Sequence, residues 1–138
     1  LPGLTATENV ALPLLFRGVS RTEREAAARK LLTRVGLSHR LDHFPRQMSG
    51  GQQQRAGIAR AFIARPDVVF ADEPTGNLDS KTTVEIMQMI CTFARDYHQT
   101  IILVTHDPEM ASYADRIVTL IDGEIVSNEV NKKERTHP

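Results

Sequence analysis

The sequence lacks the raw material for several kinds of protein. Cys91 is its single cysteine, so no disulfide can close within the chain, which suits a reducing compartment. Tryptophan is absent and aromatic residues make up only 5%, leaving little with which to stack nucleobases. Neither sign of charge prevails: 17 Lys and Arg stand against 17 Asp and Glu, and no long-range field draws nucleic acid or an anionic membrane. No apolar run approaches the ~20 residues that span a bilayer. The opening Leu1-Pro2-Gly3-Leu4 has neither a signal-peptide pattern nor a methionine, and the expectation is an internal piece of a cytosolic protein. One further absence bears on chemistry. A phosphate-cradling Gly-x-x-x-x-Gly-Lys-Ser/Thr loop occurs nowhere, since none of the eight glycines is followed by lysine.

What is present divides near Pro45. Before it, the pattern is helix and loop. Thr7 to about Phe16 reads as a short helix capped by Thr7, with Pro13 a kink or stop. Ser20-Arg21-Thr22-Glu23 has capping-box spacing, and behind it Ala28, Leu31, Leu32 and Val35 recur on one helical face. Gly36 sits where a left-handed C-terminal cap belongs, with Leu37 placed for its hydrophobic contact.

After Pro45 strands enter. Gln52 to Arg65 is helical and ends at Pro66. Val68 to Ala71 is a short, continuously apolar strand of the kind buried on both faces. Residues 81–97 form an amphipathic helix, Thr100 to Thr105 a second strand and Ile117 to Ile121 a third. Asp107-Pro108 has the cap-then-proline order of a helix start. Asp122-Gly123 turns the chain into Glu124 to Ser127 as a hairpin. Residues beyond Asn128 are polar and aperiodic, and read as a frayed tail. Alternating strand and helix predicts a parallel sheet with right-handed crossovers, and such sheets bind ligands beyond the carboxyl ends of their strands.

The stretch Met48–Ser80 concentrates the residues with chemical potential. Asp72 and Glu73 end the first strand as adjacent carboxylates, costly to desolvate unless a cation or donor meets them. They suit Mg²⁺ held by Asp72 and a water polarised by Glu73; a strand-end cap or a surface salt bridge is the plainer alternative. Ser49-Gly50-Gly51 opens a helix whose exposed amides and positive dipole end make an anion site, or simply a capped helix start. Gln52 to Gln54 and Arg55 add polarity, or a solvated face. His106 directly follows the second strand, so sheet topology sets it on the edge that carries Asp72 and Glu73, within reach of a phosphate oxygen or an attacking water. Asp79-Ser80 starts the 81–97 helix as its cap. The other histidines share no ligand spacing, and nothing supports a Cys-His nucleophile.

Four motifs in this order resemble the C-terminal part of an ATP-binding subunit of ABC transporters. Met48-Ser49-Gly50-Gly51-Gln52 is similar to the family's signature motif, with Met where Leu is usual. Val68 to Asp72 resembles the Walker B strand and Glu73 the catalytic carboxylate after it. Gly76-Asn77-Leu78-Asp79 resembles the D-loop, and Thr105-His106-Asp107 the switch-histidine motif. Glu8-Asn9-Val10, the Gln52–Gln54 run with Arg55, and Ala71 to Ser80 resemble the lipoprotein-releasing and macrolide-export subfamily.

The resemblance implies an α/β fold. It would be the C-terminal part of a P-loop NTPase-like parallel sheet (45–128), preceded by a helical subdomain facing the permease (1–44), with a C-terminal β-hairpin and a polar tail (129–138). It implies two ATPase subunits paired head to tail with ATP and Mg²⁺ between them. Ser49, Gly50, Gly51 and Gln52 would bind the γ-phosphate held by the opposite subunit. Asp72 would serve the metal, Glu73 the attacking water and His106 the γ-phosphate of the same subunit, with Asp79 at the dimer interface. The implied partners are a second ATPase subunit and a transmembrane permease, without nucleic acid or membrane insertion. The implied place is cytoplasmic, peripheral on the inner face of the cell membrane.

The family's Walker A loop, base-stacking aromatic and Q-loop glutamine are expected upstream of residue 1. The chain alone is therefore expected to be a truncated form that binds ATP weakly or not at all and does not hydrolyse it. The exposed flank of its sheet is expected to leave apolar surface uncovered. Two alternatives remain: a non-catalytic partner offering only its signature surface, and an ABC-type ATPase outside transport.

Overall fold

The computed structural model describes residues 1–131. The elements run α1 (Ala6–Phe16), α2 (Arg21–Arg34), a 3₁₀ turn (Pro45–Gln47), α3 (Gly50–Phe62), β1 (Val68–Asp72), α4 (Ser80–Asp96), β2 (Thr100–Val104), α5 (Pro108–Ala111), β3 (Arg116–Ile121) and β4 (Glu124–Val130).

The start of α1 differs from the sequence expectation. Thr5, not Thr7, is the cap: its hydroxyl accepts from the Glu8 amide at 3.2 Å, and the Glu8 carboxylate accepts from the Thr5 amide at 2.8 Å. Thr7 lies buried in the first turn and donates its hydroxyl to the Leu41 carbonyl, 2.8 Å away. Pro13 does not stop the helix, which continues to Phe16 although proline cannot donate back to the Asn9 carbonyl. At α2, Ser20 caps by accepting from the Glu23 amide at 3.4 Å. The box is not reciprocal, because the Glu23 carboxylate takes the Ser20 hydroxyl itself, at 2.6 Å. The end of α2 is a Schellman motif: Gly36 has φ +80°, its amide donates to Thr33, and the Leu37 amide donates to Leu32 at 2.8 Å. Leu37 is 1% exposed, so the turn also buries its hydrophobic contact.

β1 and β2 are parallel neighbours, with Val69 opposite Ile101 and Asp72 opposite Val104. Val69 points into a core shared with Ile58 and Phe62 of α3 and Ile90 and Phe93 of α4. The same core takes in Val10 of α1 and Leu31 and Leu32 of α2. Residues 1–44 are thus helix and loop packed on the helical side of the sheet.

The strands are not buried on both faces. Phe70 is 74% exposed, with Val68, Ile102 and Val104 on the same outward face. Helices cover one side of β1 and β2, and among the described residues nothing covers the other. Nor does β3 extend this sheet. It pairs with β4 alone, antiparallel, as a separate two-stranded ribbon. The connection from β2, residues 105–115, contains only the single turn of α5, whereas a parallel crossover takes a dozen or more residues. A two-residue turn at Asp122 (φ +51°) and Gly123 (φ +81°) makes the antiparallel pairing local. β4 continues to Val130, into the segment expected to fray, and the rest of that tail (132–138) lies outside the described residues.

Candidate functional site

Because Asp72 and Val104 are register partners, the residues after them leave the sheet at one edge. The Glu73 amide still donates to the Val104 carbonyl, at 2.9 Å, and there the backbone turns sharply. Glu73 has φ +44°, a left-handed conformation that disfavours any residue with a Cβ. The turn closes with the Gly76 amide donating to the Glu73 carbonyl at 3.1 Å.

The turn carries the Glu73 carboxylate across to the end of β2. Oε1 accepts from the His106 amide at 2.9 Å and lies 2.6 Å from His106 Nδ1. Oε2 accepts from the Thr105 hydroxyl at 3.3 Å, and that hydroxyl accepts from the Asp107 amide at 3.1 Å. The His106 imidazole, helped by the His106 amide and Thr105, holds the Glu73 carboxyl below the usual carboxylate range. Reciprocally, the hydrogen bond and charge of Glu73 raise the His106 imidazole. His106 is 91% exposed and Glu73 38%, so the pair stands at an open edge. Two concavities elsewhere, about 260 Å³ beside α1 and α2 and about 500 Å³ between Arg34, Arg55 and Glu85, do not include it.

Asp72 is exposed, and its carboxylate makes no side-chain hydrogen bond or ion pair among the described residues. Those residues contain no group of three or more His, Cys, Asp or Glu able to cage a metal ion. A single free carboxylate is nonetheless a hard oxygen donor of the sort Mg²⁺ takes when most of its ligands are water and phosphate. The residues present fit that ion and no fully protein-ligated one.

Ser49 caps α3. Its hydroxyl accepts from the Gln52 amide at 3.2 Å while the Gln52 side-chain oxygen accepts from the Ser49 amide at 3.0 Å. The amides of Gly50 and Gly51 lie in the first turn, where a helix has no internal partner for them. Both glycines face the segment after Glu73: a Cβ on Gly50 would stand 3.9 Å from Leu78 Cδ2, and one on Gly51 only 3.0 Å from Thr82 Cγ2. Asp79 caps α4, accepting from the Thr82 amide at 2.9 Å and the Thr82 hydroxyl at 2.7 Å, which lower its carboxyl from the ordinary value.

Glu73 and His106 are therefore brought together, with Asp72 one residue away. No hydrogen bond or ion pair among the described residues joins Ser49–Gln52 to that cluster. Two participants were missed from the sequence. Thr105 orients Glu73, and its position one residue before His106 was the available signal. Gln54 donates its side-chain amide to the Pro74 carbonyl, an approach across twenty residues that no local pattern encodes.

A family model described as "ABC transporter" matches residues 1–76. The chain is 50% identical over 128 residues to the macrolide export ATP-binding/permease protein MacB of Marinobacter nauticus, covering 93% of this chain and 20% of that protein. It is 49% identical over 128 residues to the lipoprotein-releasing system ATP-binding protein LolD of Geobacter metallireducens, covering 93% and 57%. The chain thus spans little more than half of LolD and a fifth of MacB. Among solved structures it is similar to the dimeric post-hydrolysis state of the ATP-binding cassette MJ0796 bound to ADP and Pi. There the TM-score is 0.83 and the identity 42%, over 96% of this chain and 59% of that one.

Proposed function

The chain belongs to the ABC transporter family of ATP-binding proteins, and we propose that it provides the hydrolytic carboxylate of one ATP site and the signature surface of another. The observation that carries this reading is the Glu73 carboxylate, fixed by Thr105 and His106 beside the unpaired Asp72. A group so held can orient a water for in-line attack on the γ-phosphorus of ATP and accept its proton as the bond to the β-phosphate oxygen breaks, leaving ADP and phosphate. Asp72 would hold Mg²⁺, which neutralises phosphate charge when bound. The exposed His106 ring would turn from Glu73 to a γ-phosphate oxygen. Its backbone amide and Thr105 keep Glu73 aimed when it does.

The Gly50 and Gly51 amides are left without a helical partner beside the reciprocal Ser49–Gln52 cap, and in this reading Ser49, Gly50, Gly51 and Gln52 close on the nucleotide of a second ATPase subunit packed head to tail. Asp79 lies at that interface. The likeness to a dimeric cassette supports the arrangement. Relatives named for macrolide export and lipoprotein release support an export or release system, with residues 1–44 against a permease on the cytoplasmic side of the membrane and residues 45–128 in the ATPase core. Among the described residues no helix is long and apolar enough to cross a membrane itself.

A second reading follows from the missing Gly-Lys-Ser/Thr loop. The 138 residues by themselves would then be a non-catalytic partner without turnover. Mixing them with an intact ATPase subunit separates the two. A partner alters that subunit's activity through Ser49 and fails as Ser49→Arg. Appreciable turnover by the 138 residues alone, lost in Glu73→Gln, would overturn this second reading.

A further inference from the structure

We propose that Gln54 is a positioning residue that links the nucleotide-facing turn of α3 to the loop carrying Glu73, so that engagement of one site sets the geometry of the other. This rests on the hydrolytic reading above.

The three consecutive glutamines have three different tasks. Gln52 is consumed in the cap with Ser49. The Gln53 side-chain amide donates backwards, to the carbonyls of Pro45 at 2.9 Å and Met48 at 3.1 Å, fixing the entry to the helix. Gln54 alone reaches forward, and its Nε2 donates to the Pro74 carbonyl at 2.5 Å.

That carbonyl belongs to the residue after Glu73. Pro74 is buried and has no N–H, so its carbonyl is its one backbone handle. Glu73 is held on its amino side by Val104 and through its own carbonyl by Gly76, in a left-handed conformation it does not favour. The Gln54 bond supplies the hold on the carboxyl side. Gly50 faces Leu78 and Gly51 faces Thr82, where an added Cβ would stand 3.9 Å and 3.0 Å away, so the first turn of α3 lies close against the segment that follows Pro74. A displacement of Ser49 and Gly50 by a bound phosphate is passed through Gln54 to the peptide next to the carboxylate.

The test uses the complete polypeptide that carries these residues, assembled with its second subunit. Gln54→Met keeps the length of the side chain and removes the donor. The expected result is a kcat about tenfold lower, the scale for a partly buried carbonyl left without its donor. KM for ATP stays unchanged, and hydrogen exchange quickens at the Glu73 and Gly76 amides while the interior of α3 keeps its protection. An unchanged kcat, a raised KM at constant kcat, or exchange quickened equally throughout α3 would overturn the proposal, the last by reducing Gln54 to scaffold. Should Gln54→Met not fold, Gln54→Glu, of the same size but unable to donate when ionised, is read by the same criteria. Glu73→Gln in parallel distinguishes the two levels. If it retains turnover the hydrolytic reading fails, whereas if it abolishes turnover and Gln54→Met changes nothing, only the coupling fails.

Discussion

Glu73 Oε1 meets both nitrogens that His106 offers to it, the main-chain amide at 2.9 Å and ring Nδ1 at 2.6 Å. The amide bond fixes the carboxylate to the sheet edge whatever the ring does. The ring bond depends on protonation, and several consequences of this pair can be measured.

The two pKa shifts define a pH window. The Glu73 carboxyl is lowered, so its contribution is present above the unfolded carboxylate value and disappears as pH falls through the folded one. The His106 imidazole is raised, so its contribution is full below its unfolded value, about 6.5, and disappears as pH rises through the folded one. Between the depressed carboxyl and the raised imidazole both are charged. An NMR titration of the His106 ring should therefore show a midpoint above the ordinary value, returning toward it in Glu73→Gln. A midpoint identical in the two proteins would show that the ring bond carries no weight.

Gly51 and Gly50 should respond differently to alanine. A Cβ at Gly51 would stand 3.0 Å from Thr82 Cγ2, while Asp79 restrains Thr82 through both its amide and its hydroxyl. Gly51→Ala should destabilise by about 1–3 kcal/mol, the scale of overpacking. Adding Thr82→Ser removes the methyl, keeps the hydroxyl and should restore most of the loss. Gly50→Ala, at an ordinary contact of 3.9 Å, should cost less in the same denaturant titration. Equal costs at the two positions would mean the α3–α4 junction is looser than described.

Ser49→Ala removes one half of a reciprocal cap and should destabilise by ~1 kcal/mol. Ser49→Asp, which can still accept from the Gln52 amide, should lose much less. Chemical denaturation distinguishes them, and equal losses would assign Ser49 no capping role.

The outward face of β1 and β2 should behave as uncovered apolar surface. In the 138 residues alone, Phe70→Ser with Val104→Thr should lower hydrophobic-dye binding and leave stability nearly unchanged. Val69→Ala, on the buried face, should cost about 1–3 kcal/mol. Amides of Val68–Ala71 should exchange faster than those of α4. Full protection of that strand would show the face to be covered.

The sequence was most informative where local chemistry decides the outcome. Ser49, Asp79 and Asp107 cap the helices their positions suggested, Gly36 adopts the left-handed turn, and β1 ends at Asp72 and β2 two residues before His106, on one sheet edge. The misreadings have non-local causes. Thr5-x-x-Glu8 carried the capping-box signal, but Thr7 was also a reasonable cap, and only the Leu41 carbonyl, brought near by folding, shows what Thr7 does. An apolar run cannot say which of its faces is covered, so Phe70 read as core. Strand direction is likewise absent from an apolar pattern, and β3 was placed in the wrong sheet. Gln54 read as part of a solvated helix face because its partner, the Pro74 carbonyl, lies in another segment.

We propose Glu73 as the hydrolytic carboxylate. That role is tested most directly by single-turnover ATP hydrolysis in the complete polypeptide carrying these residues, wild type against Glu73→Gln, with ATP binding measured in both. The prediction is a loss of about 10²–10⁴-fold in the chemical step, the usual scale for removing a positioned general base, with ATP binding retained. Hydrolysis by Glu73→Gln at the wild-type rate would contradict it.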